Sequence, residues 1–249
     1  MEREIVLSSY NLTEGKPEDF TIRFTRPLNL DNNKQYLIGL NRIIHMSFTW
    51  FNVNDQYKNR ILKYSDDNGS SFKTITLEPG VWNYKDFDKR IKALTKVKRN
   101  KVDTFPITLT FDDTTFRVII VIATNYELDL RESNFNNLIG FNKVLLKSGT
   151  HVGVRVPNLS QDTDILNIHC DLINQSLVDR ADSDIIFSFS TSVLDPSESF
   201  REEPKRVLFS PINKNNISSI RMYVTDGKRR IVNLNGADVS YSLILKTVE

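Results

Sequence analysis

Cysteine and histidine are scarce in this sequence: its 249 residues include one cysteine, Cys170, and three histidines. A single thiol excludes an intrachain disulfide, and it excludes a zinc site built from several cysteines of one chain. It also fits a reducing compartment. Cys170 falls on the apolar side of an alternating segment, so we interpret it as a small buried hydrophobe.

Long apolar runs are absent as well. The first residues, MEREIVLSSYNL, lack the basic start and the continuous apolar stretch of a signal peptide. The longest apolar run, VIIVIA at 118–123, is far shorter than the ~20 residues that a membrane-spanning helix needs. We therefore expect an intracellular protein without a membrane segment.

Neither sign of charge is in large excess, since 33 Lys and Arg residues stand against 31 Asp and Glu residues. A formal net charge of +2 is too small to imply nucleic-acid binding over the whole surface. Any contact with DNA therefore has to come from a local patch of basic residues.

Motifs that mark enzymes are missing too, including G-x-S-x-G, the P-loop, H-E-x-x-H and the dinucleotide fingerprint. His169 and Asp171 share a strand face and could form an acid/base pair, but polar residues are common on the outer face of a strand. Asp66–Asp67 and Asp112–Asp113 could offer oxygens to Ca²⁺, although turn chemistry explains them more simply. We predict no catalytic residue, metal or cofactor, and hence no enzyme.

Alternation of apolar and polar residues is the main pattern that is present, and it is typical of half-buried β-strands. It predicts about nine or ten strands, several of which lie at 20–25, 35–44, 107–111, 116–122, 165–173 and 184–190. Residues 116–122 are apolar on both faces, which predicts a covered central strand. The DDTT sequence at 112–115 predicts a hairpin between two of these strands.

The C-terminal segment MYVTDGKRRIVNLNGADVSYSLILK at 222–246 predicts tightly connected strands. Asp226-Gly227 and Asn235-Gly236 are dipeptides that readily adopt the positive φ angles of tight hairpins. We expect them to join three strands, IRMYVTD, RIVNLN and VSYSLILK.

Helical periodicity is confined to two places. In residues 83–96, apolar side chains recur at spacings of three and four behind Asn83, a typical N-cap residue. In residues 131–141, Ser133 is placed to cap a shorter turn and Gly140 to end it. The predicted class is therefore all-β: an antiparallel two-sheet sandwich with one or two short helical insertions. We expect one domain over residues 1–249, with 1–18 as an N-terminal arm.

One basic cluster stands out, because residues 89–101 (KRIKALTKVKRNK) contain seven Lys or Arg in thirteen positions. One interpretation is the solvated face of an amphipathic helix, with cations at its C-terminal end. The other is a surface that contacts nucleic acid or an acidic partner through Lys96, Lys98, Arg99 and Lys101.

Aromatic residues are the second surplus, with 15 Phe in the chain. Phe48, Trp50 and Phe51 are crowded into HMSFTWFNV at 45–53, where strand alternation cannot bury all three on one face. The segment is either a corner where the chain crosses between sheets or a surface covered by a neighbouring subunit.

The order of several segments resembles a known group of proteins. FNNLIGF at 135–141 leads to NIHCDLINQSLVDRADSDIIFSFS at 167–190 and then to VLFSPINKNNISSIRMYVTDGKRRIVNLNGADVSYSLILK at 207–246, with ITLEPGVWNYKDFDKRI upstream at 75–91. This succession is similar to the jelly-roll capsid proteins of Polinton/Maverick elements, adintoviruses and virophages. The resemblance covers roughly 75–249 and is greatest to their penton-type minor capsid protein.

The resemblance implies a single jelly-roll that assembles as a homopentamer at the vertex of an icosahedral shell. It implies a location in the virion, with assembly inside the host cell, and the major capsid protein of the same element as a partner. A weak contact with packaged DNA would fit the basic cluster. No additional receptor-binding domain is evident from the sequence, so host attachment is not implied.

A second hypothesis keeps the same fold with another function. A cellular β-sandwich module could recognise a glycan or a protein ligand through an aromatic site at Trp50 and Phe51 or at Trp82. Such a module would be a monomer or a small oligomer, whereas a vertex protein has to form a ring.

Overall fold

The computed structural model describes residues 2–47, 50–99, 101–173, 176–178, 181–191 and 199–248. Most of the regular structure is β-strand, and none of the helices among the described residues has the length and apolar character to cross a membrane. The strands are β1 (Glu2–Ser8), β2 (Glu14–Lys16), β3 (Asp19–Asn29), β4 (Tyr36–Ser47), β5 (Ile61–Ser65), β6 (Lys73–Thr76), β7 (Val97–Arg99), β8 (Val102–Thr104), β9 (Ile107–Asp112), β10 (Arg117–Ile122), β11 (Glu127–Asp129), β12 (Leu145–Leu146), β13 (Gly149–Val152), β14 (Ile165–Cys170), β15 (Ser176–Val178), β16 (Ala181–Ser183), β17 (Ile185–Ser190), β18 (Ser199–Glu202), β19 (Ser210–Pro211), β20 (Asn216–Thr225) and β21 (Val239–Thr247). The helices are a 3-10 turn (Ser9–Asn11), α1 (Tyr84–Thr95) and α2 (Phe135–Leu138).

The chain divides into two compact units, which we call unit 1 and unit 2. Unit 1 is formed within residues 1–50 and 162–249, and unit 2 within residues 51–161. Unit 2 is therefore a continuous insertion between β4 and β14. One jelly-roll domain over residues 1–249 stays a prediction, because it also concerns whether the two units unfold together.

Unit 1 is a sandwich of two antiparallel sheets. One sheet has the order β1-β21-β4-β18, with β19 also paired to β4, and the other has the order β17-β14-β20-β3-β2. If the eight main strands are counted along the chain, the sheets hold strands 1-8-3-6 and 5-4-7-2. This is the strand arrangement of a jelly-roll. The predicted all-β sandwich is confirmed.

The core of unit 1 lies between the two sheets, because alternate residues of each strand point inward. On β14, Leu166, Ile168 and Cys170 are fully buried, as the alternation predicted. Across the sandwich, the rings of Phe20 on β3 and Tyr241 on β21 stack with their centres 6.2 Å apart.

The N-terminal segment contains strand β1, and an arm over residues 1–18 stays a prediction. Strand β1 pairs along its whole length with β21, from Glu2 opposite Lys246 to Ser8 opposite Ser240. Its apolar residues Ile5 and Leu7 are buried in the unit 1 core. Residues 2–8 are therefore held by both backbone pairing and apolar burial.

Unit 2 has its own core, built from two antiparallel sheets and helix α1. The sheets have the orders β13-β10-β9 and β12-β11-β5-β6, and β7 pairs with β8 in a separate hairpin. Strands β9 and β10 form the predicted hairpin. Strand β10 is central in its sheet as expected, but it is covered on one face only, since Val121 is 44% exposed.

Helix α1 begins where the sequence predicted. The Asn83 side chain accepts hydrogen bonds from the backbone N–H groups of Lys85 and Asp86, and the Asp86 carboxylate accepts one from the Asn83 N–H. This capping box satisfies N–H groups that a helix start leaves unpaired. At the second predicted helical turn, the Ser133 hydroxyl accepts from the Phe135 N–H and Gly140 has a φ of 74°.

The C-terminal turns differ from each other. Asn235 and Gly236 both have positive φ, as predicted, whereas Gly227 does not and the left-handed residue of that loop is Arg229. The carboxylate of Asp226 organises the loop instead, because it accepts hydrogen bonds from the backbone N–H groups of Lys228 and Arg230. The expected RIVNLN strand is reduced to an isolated bridge between Thr225 and Ile231.

Candidate functional site

The predicted basic surface maps to the end of α1 and the β7–β8 hairpin of unit 2. Lys96 follows the helix, and its Nζ lies 2.5 Å from the Asp103 carboxylate. Lys98 lies on β7 directly opposite Asp103, and Lys101 lies in the turn with a φ of 64°. The side chain of Arg99 is outside the described part of the chain.

Two of these cations are available to a partner. Lys98 and Lys101 are exposed and form no ion pair with any described residue. Val102 and Phe105 nearby in sequence are also exposed, by 63% and 45%. Cations beside an exposed aromatic ring are the combination that binds single-stranded nucleic acid. The hairpin and the residue that follows it therefore carry groups of these two kinds, and contact with nucleic acid through them stays a prediction.

The aromatic segment lies where the chain passes from unit 1 to unit 2, between Trp50 and Phe51. Trp50 is half-buried and packs against the core of unit 1. Phe51 is also half-buried, and its carbonyl accepts a hydrogen bond from Asn54 Nδ2. Phe48 lies outside the described residues. The use of these residues as a subunit interface stays a prediction.

His169 is the centre of a polar network on the outer face of the second sheet of unit 1. Its Nδ1 lies 2.7 Å from Asp184 Oδ1, and its Nε2 lies 2.8 Å from the Thr225 hydroxyl. The Tyr223 ring stacks on the imidazole at 4.2 Å, and its hydroxyl donates to Asp184 Oδ2. The Arg221 guanidinium lies over the Tyr223 ring, 4.8 Å from the centre of that ring.

This arrangement has the connectivity of an Asp-His-Thr relay, but its geometry does not suit nucleophilic catalysis. Such a relay needs a hydroxyl that a substrate can reach, and Thr225 is only 2% exposed. Burial lowers the pKa of His169 despite the neighbouring carboxylate. The neutral ring satisfies both contacts by donating from Nδ1 to Asp184 and accepting at Nε2 from Thr225.

The pair proposed from sequence, His169 with Asp171, is not formed. The Asp171 carboxylate accepts from the backbone N–H of Arg221 and from Lys214 Nζ instead. The true partner, Asp184, is separated from His169 by fifteen positions. The pairing of β14 with β17 and β20 brings these groups together. No local sequence pattern predicts this pairing.

The other acidic candidates are explained by turn chemistry. The Asp67 carboxylate accepts from the hydroxyls of Ser65 and Ser71, and these bonds lower its pKa to about 2. Asp112 accepts in the same way from the Thr114 N–H and the Thr115 hydroxyl. Within the described residues, no group of three or more His, Cys, Asp or Glu is arranged to hold a metal ion.

Cys170 behaves as a core residue. Its side chain is fully buried, and this burial raises the thiol pKa to about 12. A thiol that stays protonated is a poor nucleophile and a poor metal ligand. This agrees with the interpretation of Cys170 as a small hydrophobe.

Comparison with known proteins finds similar structures but no similar family model or curated sequence. No protein-family model matches the chain. A search of curated proteins also finds no match. Among solved structures, the chain is similar to the mavirus penton protein, with a TM-score of 0.50 and 9% identity over 100% of both chains. A chain of the Sputnik virophage gives a TM-score of 0.44 and 11% identity, over 98% of this chain and 97% of that one. This protein therefore shares the fold of the mavirus penton protein.

Proposed function

We propose that this protein is a structural capsid protein that forms the vertex capsomer of an icosahedral shell. The observation that carries the proposal is the jelly-roll strand order of unit 1, within a fold that matches the mavirus penton protein over all of both chains. A shell protein acts through shape and self-complementarity and needs no catalytic group.

The proposed assembly is a cyclic homopentamer in the virion, made inside the host cell and joined to the major capsid protein of the same element. Such a ring uses head-to-tail interfaces, in which two different surfaces of each protomer meet. A stable interface of this kind buries about 800 Å² on each partner. We assign Phe48, Trp50 and Phe51 to it, since Trp50 and Phe51 remain partly exposed at the passage between the units.

Mass photometry of the purified protein tests the ring. The expected particle has five times the protomer mass of 28.8 kDa. Phe51→Asp should shift the population towards monomers, whereas Phe72→Asp, at an exposed Phe of unit 2, should leave it unchanged. A monomer at every protein concentration and ionic strength, with the major capsid protein present as well, would contradict the proposal.

The β7–β8 hairpin is proposed to make a weak contact with packaged DNA through Lys96, Lys98, Arg99 and Lys101. Phosphate contacts release counterions, so DNA binding should weaken as salt rises. Replacing Lys98 and Lys101 by Gln should reduce the slope of log affinity against log salt by about one for each phosphate that is no longer neutralised. Gln at Lys143 and Lys147 is the matched control. An equal slope in both double variants would leave the hairpin as a solvated surface.

A further inference from the structure

A second surface of unit 2, distinct from the β7–β8 hairpin, has the features of a binding cleft. It has a volume of about 450 Å³ and lies along one stripe of helix α1 and the residues just before it. Clefts of this size are typical of sites for small molecules and short chain segments. Its lining residues are Val81, Trp82, Asp86, Lys89, Arg90 and Ala93.

The aromatic part of this cleft is rigid. Trp82 Nε1 donates to the carbonyl of Glu78 at 2.9 Å, and the Trp82 backbone exchanges two hydrogen bonds with the Asn52 side chain. Its ring stacks on the buried Phe87, with centres 5.6 Å apart and planes within 9°. An aromatic side chain that is already fixed loses little entropy when a ligand packs against it.

Apolar surface beside the ring is left uncovered. Val81 is 53% exposed, and Ala93 is exposed on the next turns of the same stripe. The apolar residues Phe87 and Ile91 of α1 point the other way and are buried in the unit 2 core. Val81 and Ala93 are not members of that core, and their exposed surface can receive an apolar side chain of a partner.

The cations of the cleft lack anionic partners, unlike others on the same segment. Lys92 is paired with Asp88, and Lys96 with Asp103. Lys89 and Arg90 form no ion pair with any residue that the structure describes, and Arg90 Nε is buried without a hydrogen-bond acceptor.

An unpaired buried donor is costly. Arg90 lines the cleft and is only partly buried as a residue, so its guanidinium is a group there that a ligand can meet. A carboxylate is a natural partner for this planar group.

The remaining lining residue decides between two kinds of anion. Asp86 puts a negative carboxylate in the cleft, where it accepts the capping bond from Asn83. A nucleic-acid backbone brings a row of phosphates, which favours an uninterrupted row of cations. A peptide can place one carboxylate at Arg90 and Lys89 and an aliphatic side chain on Val81 and Ala93, so it fits the mixed lining better.

We propose that this cleft binds an acidic peptide segment of a partner protein, with a carboxylate at Arg90 and Lys89 and a neighbouring aliphatic side chain against Trp82, Val81 and Ala93. The proposal rests on unit 2 alone and holds whether or not the protein builds a shell.

Titration of the full chain with a short, capped peptide of alternating leucine and glutamate tests this site. The chain has only two tryptophans, so in a Trp50→Phe variant Trp82 is the sole fluorescent reporter. We expect a saturable change in its emission. Calorimetry on the unsubstituted protein gives the same affinity without depending on that variant.

Arg90→Gln should weaken binding by about tenfold, the loss expected for a hydrogen bond to a charged group. Lys143→Gln, which removes the same charge at an exposed site of unit 2, should have no effect. The glutamine version of the peptide should bind about tenfold more weakly than the glutamate version.

Three results would overturn the site: no binding of the glutamate peptide, equal affinity for the two peptides, or equal affinity of the Arg90→Gln and Lys143→Gln variants. Arg90-dependent binding of oligothymidylate in preference to the peptide would also overturn it, because the cleft would then recognise phosphate.

Discussion

Two buried polar side chains of unit 1 illustrate how much a single residue depends on its partners. The Tyr241 hydroxyl is buried without a hydrogen-bond partner among the described residues, although its ring stacks on Phe20. His169 is almost as deeply buried, but both of its ring nitrogens are satisfied. Because an unsatisfied buried group costs free energy and a satisfied one does not, the two residues should respond oppositely to loss of their polar atoms.

Tyr241→Phe should raise the free energy of unfolding, by about 1 kcal/mol, because it removes an unpaired hydroxyl and keeps the ring. Tyr223→Phe is the comparison, since the Tyr223 hydroxyl donates to Asp184 and its loss should cost about 1 kcal/mol. Urea denaturation of both variants measures the difference. A loss of stability in Tyr241→Phe as large as in Tyr223→Phe would show that the hydroxyl is paired.

His169 should make stability depend on pH. Its folded-state pKa lies below the ordinary value of 6.5 because the ring is buried, while Asp184 opposes this shift and Arg221 and Arg229 add to it. Just below pH 6.5, His169 is therefore protonated in the unfolded chain but stays neutral in the folded chain. Stability should be unaffected by this group above 6.5 and should fall as the pH drops from 6.5 towards the folded-state pKa.

Denaturation midpoints measured above and below pH 6.5 test this dependence. In His169→Gln, which cannot titrate, the part of the decline due to this group should disappear. An identical decline in both proteins would assign it to other groups.

At the scale of elements, the sequence predicted structure that depends on neighbouring residues, but it did not predict structure that depends on residues distant in the chain. Asn83 and Asp86 are three positions apart, so the capping box of α1 could be predicted from neighbouring residues. Alternation placed β9 and β14 correctly because burial of one face follows a period of two. The loop at Asp226-Gly227 was predicted wrongly, because its conformation depends on residues distant in sequence. Gly227 donates its N–H to the carbonyl of Asp162, a contact that no local pattern reveals.

Asp226 should therefore matter more than Gly227 in this loop. The Asp226 side chain is fully buried and accepts from two backbone N–H groups and from Arg230 Nε. Removing one partner of a buried ion pair costs about 3–5 kcal/mol, so Asp226→Ala should be strongly destabilising in thermal or urea unfolding. Gly227→Ala should cost much less, since Gly227 has no positive φ and the added Cβ meets only the Asp162 carbonyl at 3.3 Å.

Gly236→Ala provides the contrast for backbone strain. Gly236 has a φ of 79° and open space around it, so the cost of its replacement comes from the left-handed conformation alone, about 1–2 kcal/mol. If Gly227→Ala proved as damaging as Asp226→Ala, the loop would depend on its glycine after all.

For the whole molecule, the division into two units is the feature that the sequence did not predict. No Pro-, Gly- or Ser-rich linker marks the passages at Trp50–Phe51 and Gln161–Asp162. Both parts are also rich in strands, so the type of secondary structure does not change between them. Only the pairing partners differ: every described sheet lies wholly within one unit, and so does each of the two hydrophobic cores.

Because each unit has its own core, we expect core substitutions to act on separate unfolding transitions. Ile168→Ala in the unit 1 core and Phe135→Ala in the unit 2 core each remove a fully buried side chain, at a cost of about 2–5 kcal/mol. In differential scanning calorimetry, each variant should lower the transition of its own unit and leave the other in place. If each substitution shifts the entire unfolding endotherm equally, the units unfold as one, and the prediction of a single cooperative domain over residues 1–249 is the correct one.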